Sequence, residues 1–166
     1  MILLGLRAPF LLFVVGFLCT AIQPAFALSC LRPDAVTLYE TARDSADSYS
    51  LVIGTLEANR PIAIPDRAPA GEQTADTMVR LRGRSLTGLG FLRDFDQRII
   101  LRTSCVSAWC ASAPDLGAEV LAAVKHQGDE LLLEVSPCPS NALAVSADDE
   151  ARVLNCHRFR NCARAE

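Results

Sequence analysis

The sequence predicts a mainly β domain with two flanking helices, in which five short antiparallel strands form a small OB-like barrel, closed or nearly closed, that disulfide bonds stabilise. The clearest sign is a β-hairpin within Gly117–Cys138, where Gly128 and Asp129 form a two-residue turn between two apolar runs. A second sign is an even set of cysteines in a chain that carries an export signal. A third is glycine inside alternating segments, which small barrels use to bend their strands.

The first 27 residues are predicted to be a signal peptide. Residues 1–7 carry one positive charge, residues 10–20 are apolar, and Ala25-Phe26-Ala27 has the small-x-small pattern of a signal peptidase site. A retained membrane anchor is the alternative, although the apolar run is short for a span of roughly 20 residues. We therefore expect an exported protein, periplasmic or secreted, with a single domain over residues 28–166.

The mature chain is acidic. Removing Arg7 from the 16 basic residues leaves 15 against 19 acidic ones, a net charge of −4. This balance does not indicate a nucleic-acid-binding protein. We expect no contact with a membrane after the signal peptide is removed, and the expected partner is another exported protein.

Six of the seven cysteines remain after Cys19 leaves with the signal peptide. An even number in a small exported domain indicates a disulfide framework, and six cysteines allow 15 pairings among which the sequence does not choose. Lipidation of Cys30 is the alternative, but it would leave an odd number. The six cysteines are Cys30, Cys105, Cys110, Cys138, Cys156 and Cys162.

The N-terminal part is predicted to contain a helix, a strand and a long loop. The helix covers Arg32–Ala46, with Asp34 as its N-cap. The strand Tyr49–Leu56 contains Gly54, which indicates a bulge or a sharp bend. Glu57–Ala75 contains three prolines and is expected to be an exposed loop or flap. A loop of this length is either functional or a tolerated insertion.

The second predicted strand, Thr77–Leu86, carries arginine on one face and apolar residues on the other. Arg80, Arg82 and Arg84 alternate along it. The three guanidinium groups could bind an anion, a small ligand or an oligosaccharide. The alternative is an ordinary solvated outer face. Ser85–Asp96, with its glycines, is expected to be a turn region.

The third predicted strand, Gln97–Thr103, leads into a compact loop, Val106–Gly117. This loop holds Trp109 between two cysteines. A local disulfide bond would fix the indole at one end of the barrel, and rigid aromatic side chains are good binding anchors. The alternative is that Trp109 caps the core beside the disulfide.

The hairpin that follows has strands Glu119–His126 and Glu130–Val135. If Gln127 pairs with Glu130, the apolar side chains of both strands share one face. A second helix, Ala147–Arg158, is predicted to begin after Ser146, with acidic residues in its first turn. The shared apolar face comprises Val120, Ala122, Val124, Leu131, Leu133 and Val135.

The sequence contains no recognisable catalytic or cofactor motif. It has no nucleophile elbow, phosphate-binding loop, dinucleotide-binding glycine pattern or H-E-x-x-H. Cys156, His157 and Cys162 could ligate zinc, but the even cysteine number favours disulfides. We expect no cofactor, no metal ion and no enzymatic activity. An enzyme with an unrecognised site is the alternative.

The mature chain resembles the netrin-like modules, which include the tissue inhibitors of metalloproteinases. The resemblance lies in an ordered pattern from Cys30 to Cys138. It comprises a cysteine near the mature N-terminus, a helix leading into a strand, a strand-to-loop passage with Cys105 and Cys110, and a hairpin that ends in cysteine. The resemblance implies an OB-type barrel and a binding role. A bacterial-type exported protein that shares the barrel alone is the alternative.

The same resemblance implies a disulfide pairing and departs from the inhibitors at one point. Cys30 would bond to Cys138, while Cys105–Cys110 and Cys156–Cys162 would be local bridges. Those inhibitors begin with Cys-x-Cys and chelate zinc through the free amino group of the first cysteine. Here Leu28 and Ser29 precede Cys30, and no cysteine stands at position 32. The resemblance therefore does not imply that this chain inhibits metalloproteinases by chelating their zinc.

Overall fold

The computed structural model describes residues 30, 34–66, 71–138 and 141–164. The predicted signal peptide lies outside these residues. The described chain is mainly β, with two helices and a mixed sheet of seven strands. In chain order the elements are α1 (Ala35–Asp44), β1 (Tyr49–Glu57), β2 (Glu72–Thr87), β3 (Gly90–Val106), β4 (Trp109–Cys110), β5 (Glu119–Gln127), β6 (Glu130–Val135), β7 (Ala142–Ala144) and α2 (Ala147–Phe159).

The five longer strands pair in a ring-like order. β2 and β3 form a long antiparallel ribbon that runs from the Glu72–Val106 pair to the Thr87–Gly90 pair. β1 pairs antiparallel with β2 and with β5, β5 pairs antiparallel with β6, and β6 runs parallel to β3. The short strands β4 and β7 add to β3 and β5.

The mainly β class with two helices is confirmed, but the predicted five-stranded antiparallel barrel, closed or nearly closed, is wrong in its details. The sheet is mixed because β3 and β6 are parallel, and it is not closed. The β5–β6 ladder covers only three residue pairs, from Lys125–Leu132 to Gln127–Glu130, and the β3–β6 ladder covers four. An alternating sequence does not reveal whether a strand's neighbour is parallel, since both arrangements have the same period of two.

Two apolar layers lie on opposite faces of the curled sheet. The inner cluster is enclosed by the strands, and the outer cluster lies between the sheet and the two helices. β1 contributes to both, because Val52 and Leu56 face the inner cluster while Leu51 and Ile53 face the helices. The inner cluster comprises Val52, Leu56, Val79, Leu81, Ile99, Leu101, Ala111, Val120, Ala122, Val124, Leu133 and Val135.

The predicted hairpin is confirmed. Gln127 pairs with Glu130, and Gly128 has the positive φ of 60° that its turn requires. All six apolar residues of the predicted face belong to the inner cluster or pack against it. The opposite face of β5 is buried as well, because Leu121 and Ala123 pack under the helices.

The turn region predicted at Ser85–Asp96 is much shorter in the structure. Only residues 88 and 89 form the turn between β2 and β3. Of the bulge or sharp bend predicted at Gly54, the bulge is wrong, because the β1–β2 register continues unbroken through the Gly54–Gly83 pair. The irregularity lies instead beside Ser85, where the β2–β3 register shifts.

Both helices begin with the predicted caps. The Asp34 carboxylate accepts hydrogen bonds from the backbone N–H groups of residues 36 and 37. Ser146 and Asp149 form a reciprocal capping box at the start of α2. α1 is shorter at its C-terminal end than predicted, since Ser45 is already extended. No helix of the described residues is long and apolar enough to cross a membrane.

The loop between β1 and β2 is partly anchored rather than a free flap. The Ala63 N–H donates to Thr77 Oγ1 at 2.9 Å, and Thr103 Oγ1 donates to the Ala63 carbonyl at 2.6 Å. Ile62 packs against the inner cluster. These contacts satisfy two buried hydroxyls, which explains why threonines occur at inward positions of β2 and β3.

The three implied disulfide bonds are supported by close cysteine pairs. They join Cys30 to Cys138, Cys105 to Cys110 and Cys156 to Cys162, with Cα–Cα distances of 5.3, 3.9 and 4.3 Å. The first bond spans 108 residues, whereas the other two are local. The chain therefore has one long-range covalent link and two short ones.

Candidate functional site

The strongest candidate for a binding surface is the hairpin of residues 105–110, which we call the Trp109 tip. Cys105 pairs with Cys110, and Val106 pairs with Trp109. Paired residues in an antiparallel ladder point to the same face. The disulfide side chains therefore lie on one face of the tip, and Val106 and Trp109 lie on the other. Both apolar side chains are exposed, at 45% and 52%.

Several contacts hold the Trp109 tip in place. Ser107 turns the chain with a positive φ of 54°, and its N–H donates to the Gly71 carbonyl at 3.1 Å. The Ala111 N–H donates to the Ser104 carbonyl at 2.8 Å. On the inner side, the Pro65 carbonyl oxygen lies 3.3 Å from Cys105 Sγ. The tip is thus fixed by a disulfide, by the β3–β4 ladder and by the preceding loop.

Ile64 adds to the apolar surface near this end. It is exposed and directly precedes Pro65, which contacts the disulfide. The sequence predicts a binding role for Trp109 but not for Val106 or Ile64. Val106 could have been found from the two-residue turn at residues 107 and 108, since such a turn pairs the residues on either side. Ile64 reaches this end through tertiary contacts, which leave no local pattern.

The three arginines of β2 lie on an exposed face, as predicted, but each has a carboxylate partner. Arg80 makes a two-pronged bond to Asp96, at 2.5 and 2.7 Å. Arg82 lies 3.3 Å from Glu57 and Arg84 lies 3.6 Å from Glu150. The hydrogen bond from Arg80 is the main reason that the pKa of Asp96 is below its ordinary value. This face is a charge-balanced network rather than a row of free cations.

The two predicted binding surfaces are not brought together. Arg80 pairs in register with Arg98 on β3, and eight residues separate Arg98 from Val106. At a strand rise of about 3.3 Å per residue, the backbones are roughly 25 Å apart along β3. The Trp109 tip and the arginine face are therefore separate surfaces.

The zinc alternative at the C-terminal helix does not fit the described residues. The sulfur atoms of Cys156 and Cys162 are close to a Glu40 carboxylate, but the two cysteines are bonded to each other. A thiolate is the species that ligates zinc, and a disulfide offers none. His157 is used elsewhere, because Nδ1 lies 3.1 Å from the Tyr39 hydroxyl and Nε2 lies 3.0 Å from the Thr87 carbonyl. It links both helices to the β2–β3 turn.

An apolar cavity of about 220 Å³ opens where β5, β6 and β7 meet the loop after β4. Small side chains line most of it, and Ser112 and Asp115 supply its polar edge. The sequence does not predict this cavity, because the lining alanines come from two separate segments, the loop after β4 and β7, and carry no motif. It is smaller than the 300–1,000 Å³ typical of pockets for drug-sized ligands.

Comparisons with known proteins add no family assignment. No family model, no curated protein and no solved structure matches this chain. The resemblance to netrin-like modules therefore stays a prediction, and the site must be interpreted from its own geometry.

Proposed function

We propose that this chain is an exported, non-enzymatic binding module, and that the Trp109 tip contacts another exported protein. One observation carries the proposal: a tryptophan more than half exposed stands on a hairpin that a disulfide bond, a short ladder and two backbone hydrogen bonds hold in place. Aromatic side chains on a rigid frame bind with little loss of conformational entropy. Trp109 and its neighbour Val106 would form the centre of the contact.

The fold proposal belongs with this function. We propose that the curled sheet is a partly open OB-like barrel of the netrin-like kind. The ring-like pairing order of its five longer strands and the helices against one side support this. The OB-fold is itself a partly open five-stranded barrel used for binding. The three disulfide pairs are compatible with export, since such bonds persist in oxidising compartments.

The arginine face is less suited to be the main binding site. An anionic ligand there would have to displace Asp96, Glu57 or Glu150 from their guanidinium partners. Within the described residues the Trp109 tip has no such competitor, because the indole and the Val106 side chain are both exposed. Small-ligand binding on β2 therefore stays the second interpretation.

A photo-crosslinking experiment in the native cells tests the proposed contact. A photoreactive phenylalanine analogue replaces Trp109, and the matched control carries it at Met78, which is exposed to the same degree, 51%. We expect one exported protein to be captured from position 109 and not from position 78. Capture that is absent at 109, or equal at both positions, would contradict the proposal.

A further inference from the structure

The end of the molecule opposite the Trp109 tip carries the most exposed large apolar side chains of the described residues. Leu89 and Phe159 are each 73% exposed and Leu92 is 63% exposed. Leu89 lies in the β2–β3 turn, and Phe159 is the last residue of α2. We call the surface formed by these three side chains, together with Arg93, Arg158 and Arg160 beside them, the ribbon end.

Hydrogen bonds bring these distant segments together. The Arg158 guanidinium donates to the Leu89 carbonyl, and His157 Nε2 lies 3.0 Å from the Thr87 carbonyl. Leu92 is the extra residue at the register shift, because Leu86 pairs with Phe91 and Ser85 pairs with Arg93. The ribbon end is therefore a surface that hydrogen bonds hold together, and it consists of a turn, a bulge and a helix terminus.

The charges at the ribbon end differ from those along the rest of the ribbon. Arg93, Arg158 and Arg160 have no carboxylate within ion-pair distance among the described residues. Asp44 lies close enough to Arg160 for a charge interaction, but its carboxylate is bonded to Arg43. Asp94 lies opposite Arg84 in the ladder, although the ion pair of Arg84 is to Glu150. Arginines that form no ion pair within the described part of the chain thus lie beside exposed apolar side chains.

We infer that the ribbon end docks peripherally on an anionic lipid membrane. Apolar side chains can enter the boundary between headgroups and acyl chains, while arginines beside them pair with lipid phosphates. A protein interface instead concentrates apolar residues in a core with few charges, whereas here an arginine stands next to each apolar segment. This is contact with the membrane surface and not a span, and it revises the expectation of no membrane contact.

The inference does not depend on the Trp109 tip. The two surfaces lie at opposite ends of the β2–β3 ribbon, whose ladder runs from the Glu72–Val106 pair to the Thr87–Gly90 pair. A chain held to a membrane at one end would present the other end to soluble partners. Each end can therefore be altered while the other serves as a control.

Vesicle co-sedimentation of the oxidised mature protein tests the inference. The probes are vesicles of phosphatidylglycerol mixed with phosphatidylcholine, and vesicles of phosphatidylcholine alone, each at low and at high salt. We expect binding to the anionic vesicles only, and weaker binding at high salt because the lipid surface potential is screened. The Leu89→Ser/Phe159→Ser variant should lose this binding. The Val106→Ser/Trp109→Ser control should keep it.

A second variant tests the inference even if the first folds poorly. Arg93→Gln/Arg160→Asn changes two exposed residues, and asparagine tolerates the left-handed backbone at position 160. We expect roughly five-fold weaker binding for each arginine removed. Equal binding to both vesicle types, no binding, or binding unaffected by this variant would overturn the inference. So would a dimer in analytical ultracentrifugation that the Leu89→Ser/Phe159→Ser variant dissolves, because the surface would then be an interface between two copies.

Discussion

At the scale of single residues, the approach of β1 to β2 depends on two glycines that face each other. A Cβ on Gly54 would overlap the Arg82 carbonyl oxygen, and a Cβ on Gly83 would overlap the Ile53 carbonyl oxygen. Neither neighbour can move easily, because both are backbone atoms of paired strands. Here glycine allows a close contact between strands without any break in register.

Gly54→Ala should therefore destabilise the protein by roughly 1–3 kcal/mol, the usual cost of adding a methyl group to a packed site. Gly88→Ala is the matched control, since a Cβ there meets nothing within 4 Å. Urea unfolding followed by circular dichroism measures both. A Gly54→Ala variant as stable as Gly88→Ala would show that the strands can separate at little cost.

Single residues were the most predictable level, and the reason is that caps and turns are local. Asp34, Ser146 and Gly128 each act within four residues of their own position, so the sequence contains their whole context. The carboxylate partners of the arginines were not predicted. Glu57 and Glu150 reach Arg82 and Arg84 only through the fold.

At the scale of elements, the two helices run side by side in the same direction, joined by Arg152. Its guanidinium bonds to Asp34 at the start of α1, at 2.9 Å, and to Asp149 at the start of α2, at 2.5 Å. Further along, Tyr39 contacts His157. The Arg152 side chain is only 18% exposed, so the ion pairs are shielded more than those on the sheet.

Arg152→Gln should cost about 1–3 kcal/mol of unfolding free energy, because it removes a shielded positive charge from between the carboxylates of Asp34 and Asp149. Arg84→Gln is the control, since Arg84 on β2 contacts Glu150 of the same helix from an exposed position. It should cost less than about 1 kcal/mol. Equal losses in thermal unfolding would show that the position of Arg152 between the helices has no special importance.

Asp149 gives α2 a defined pH dependence. Hydrogen bonds from the Ser146 side chain, then from the Ser146 backbone and Arg152, lower the pKa of the Asp149 carboxyl below its ordinary 3.8. A lowered folded-state pKa stabilises the protein above the unfolded-state pKa, and this contribution is lost as the pH falls through the folded-state pKa. Asp149→Asn should thus be less stable than wild type at pH 6, and the difference should shrink below about pH 3.8. A difference that is constant from pH 6 to pH 2.5 in urea unfolding would contradict this.

Elements with a strong internal period were predicted, and those without one were missed. The hairpin β5–β6 and α1 follow from apolar spacing, and α2 follows from its N-cap and the acidic residues of its first turn. The sequence predicts a turn region over the first half of β3, because Gly88, Gly90 and two aspartates are residues that favour turns. The ladder with β2 overrides those preferences. Strands β4 and β7 have two and three residues, which is too short for any period.

At the scale of the whole molecule, one disulfide bond links the segment before α1 to the segment after β6. The Cys30–Cys138 bond spans 108 residues, whereas the Cys105–Cys110 bond spans five. Loop-closure entropy predicts a larger effect for the longer loop. We expect Cys30→Ser/Cys138→Ser to lose about 4 kcal/mol and Cys105→Ser/Cys110→Ser about 2 kcal/mol. Chemical unfolding of the two variants under identical conditions gives the order, and a reversed order would contradict the entropic account.

The overall arrangement of strands was the least predictable level. The sequence does not specify that β6 lies parallel to β3 or that β1 pairs with β5. Both pairings join distant segments, and the alternating pattern of each strand fits several neighbours equally well. The ribbon end could not be predicted from the sequence either. Leu89 and Phe159 lie 70 residues apart in the sequence, and their segments come together through the contacts of Arg158 and His157 with the end of the β2–β3 ribbon.

The exposure of Trp109 is the central claim, and its fluorescence tests it most directly. Trp109 is the only tryptophan of the chain, so all indole emission comes from the proposed anchor. Acrylamide quenching and anisotropy decay should be measured on the native, oxidised protein. We expect quenching close to that of the unfolded chain together with slow anisotropy decay, the combination of an exposed but immobile side chain. An indole shielded from acrylamide would instead place Trp109 in the core beside its disulfide, and the proposed binding surface would be wrong.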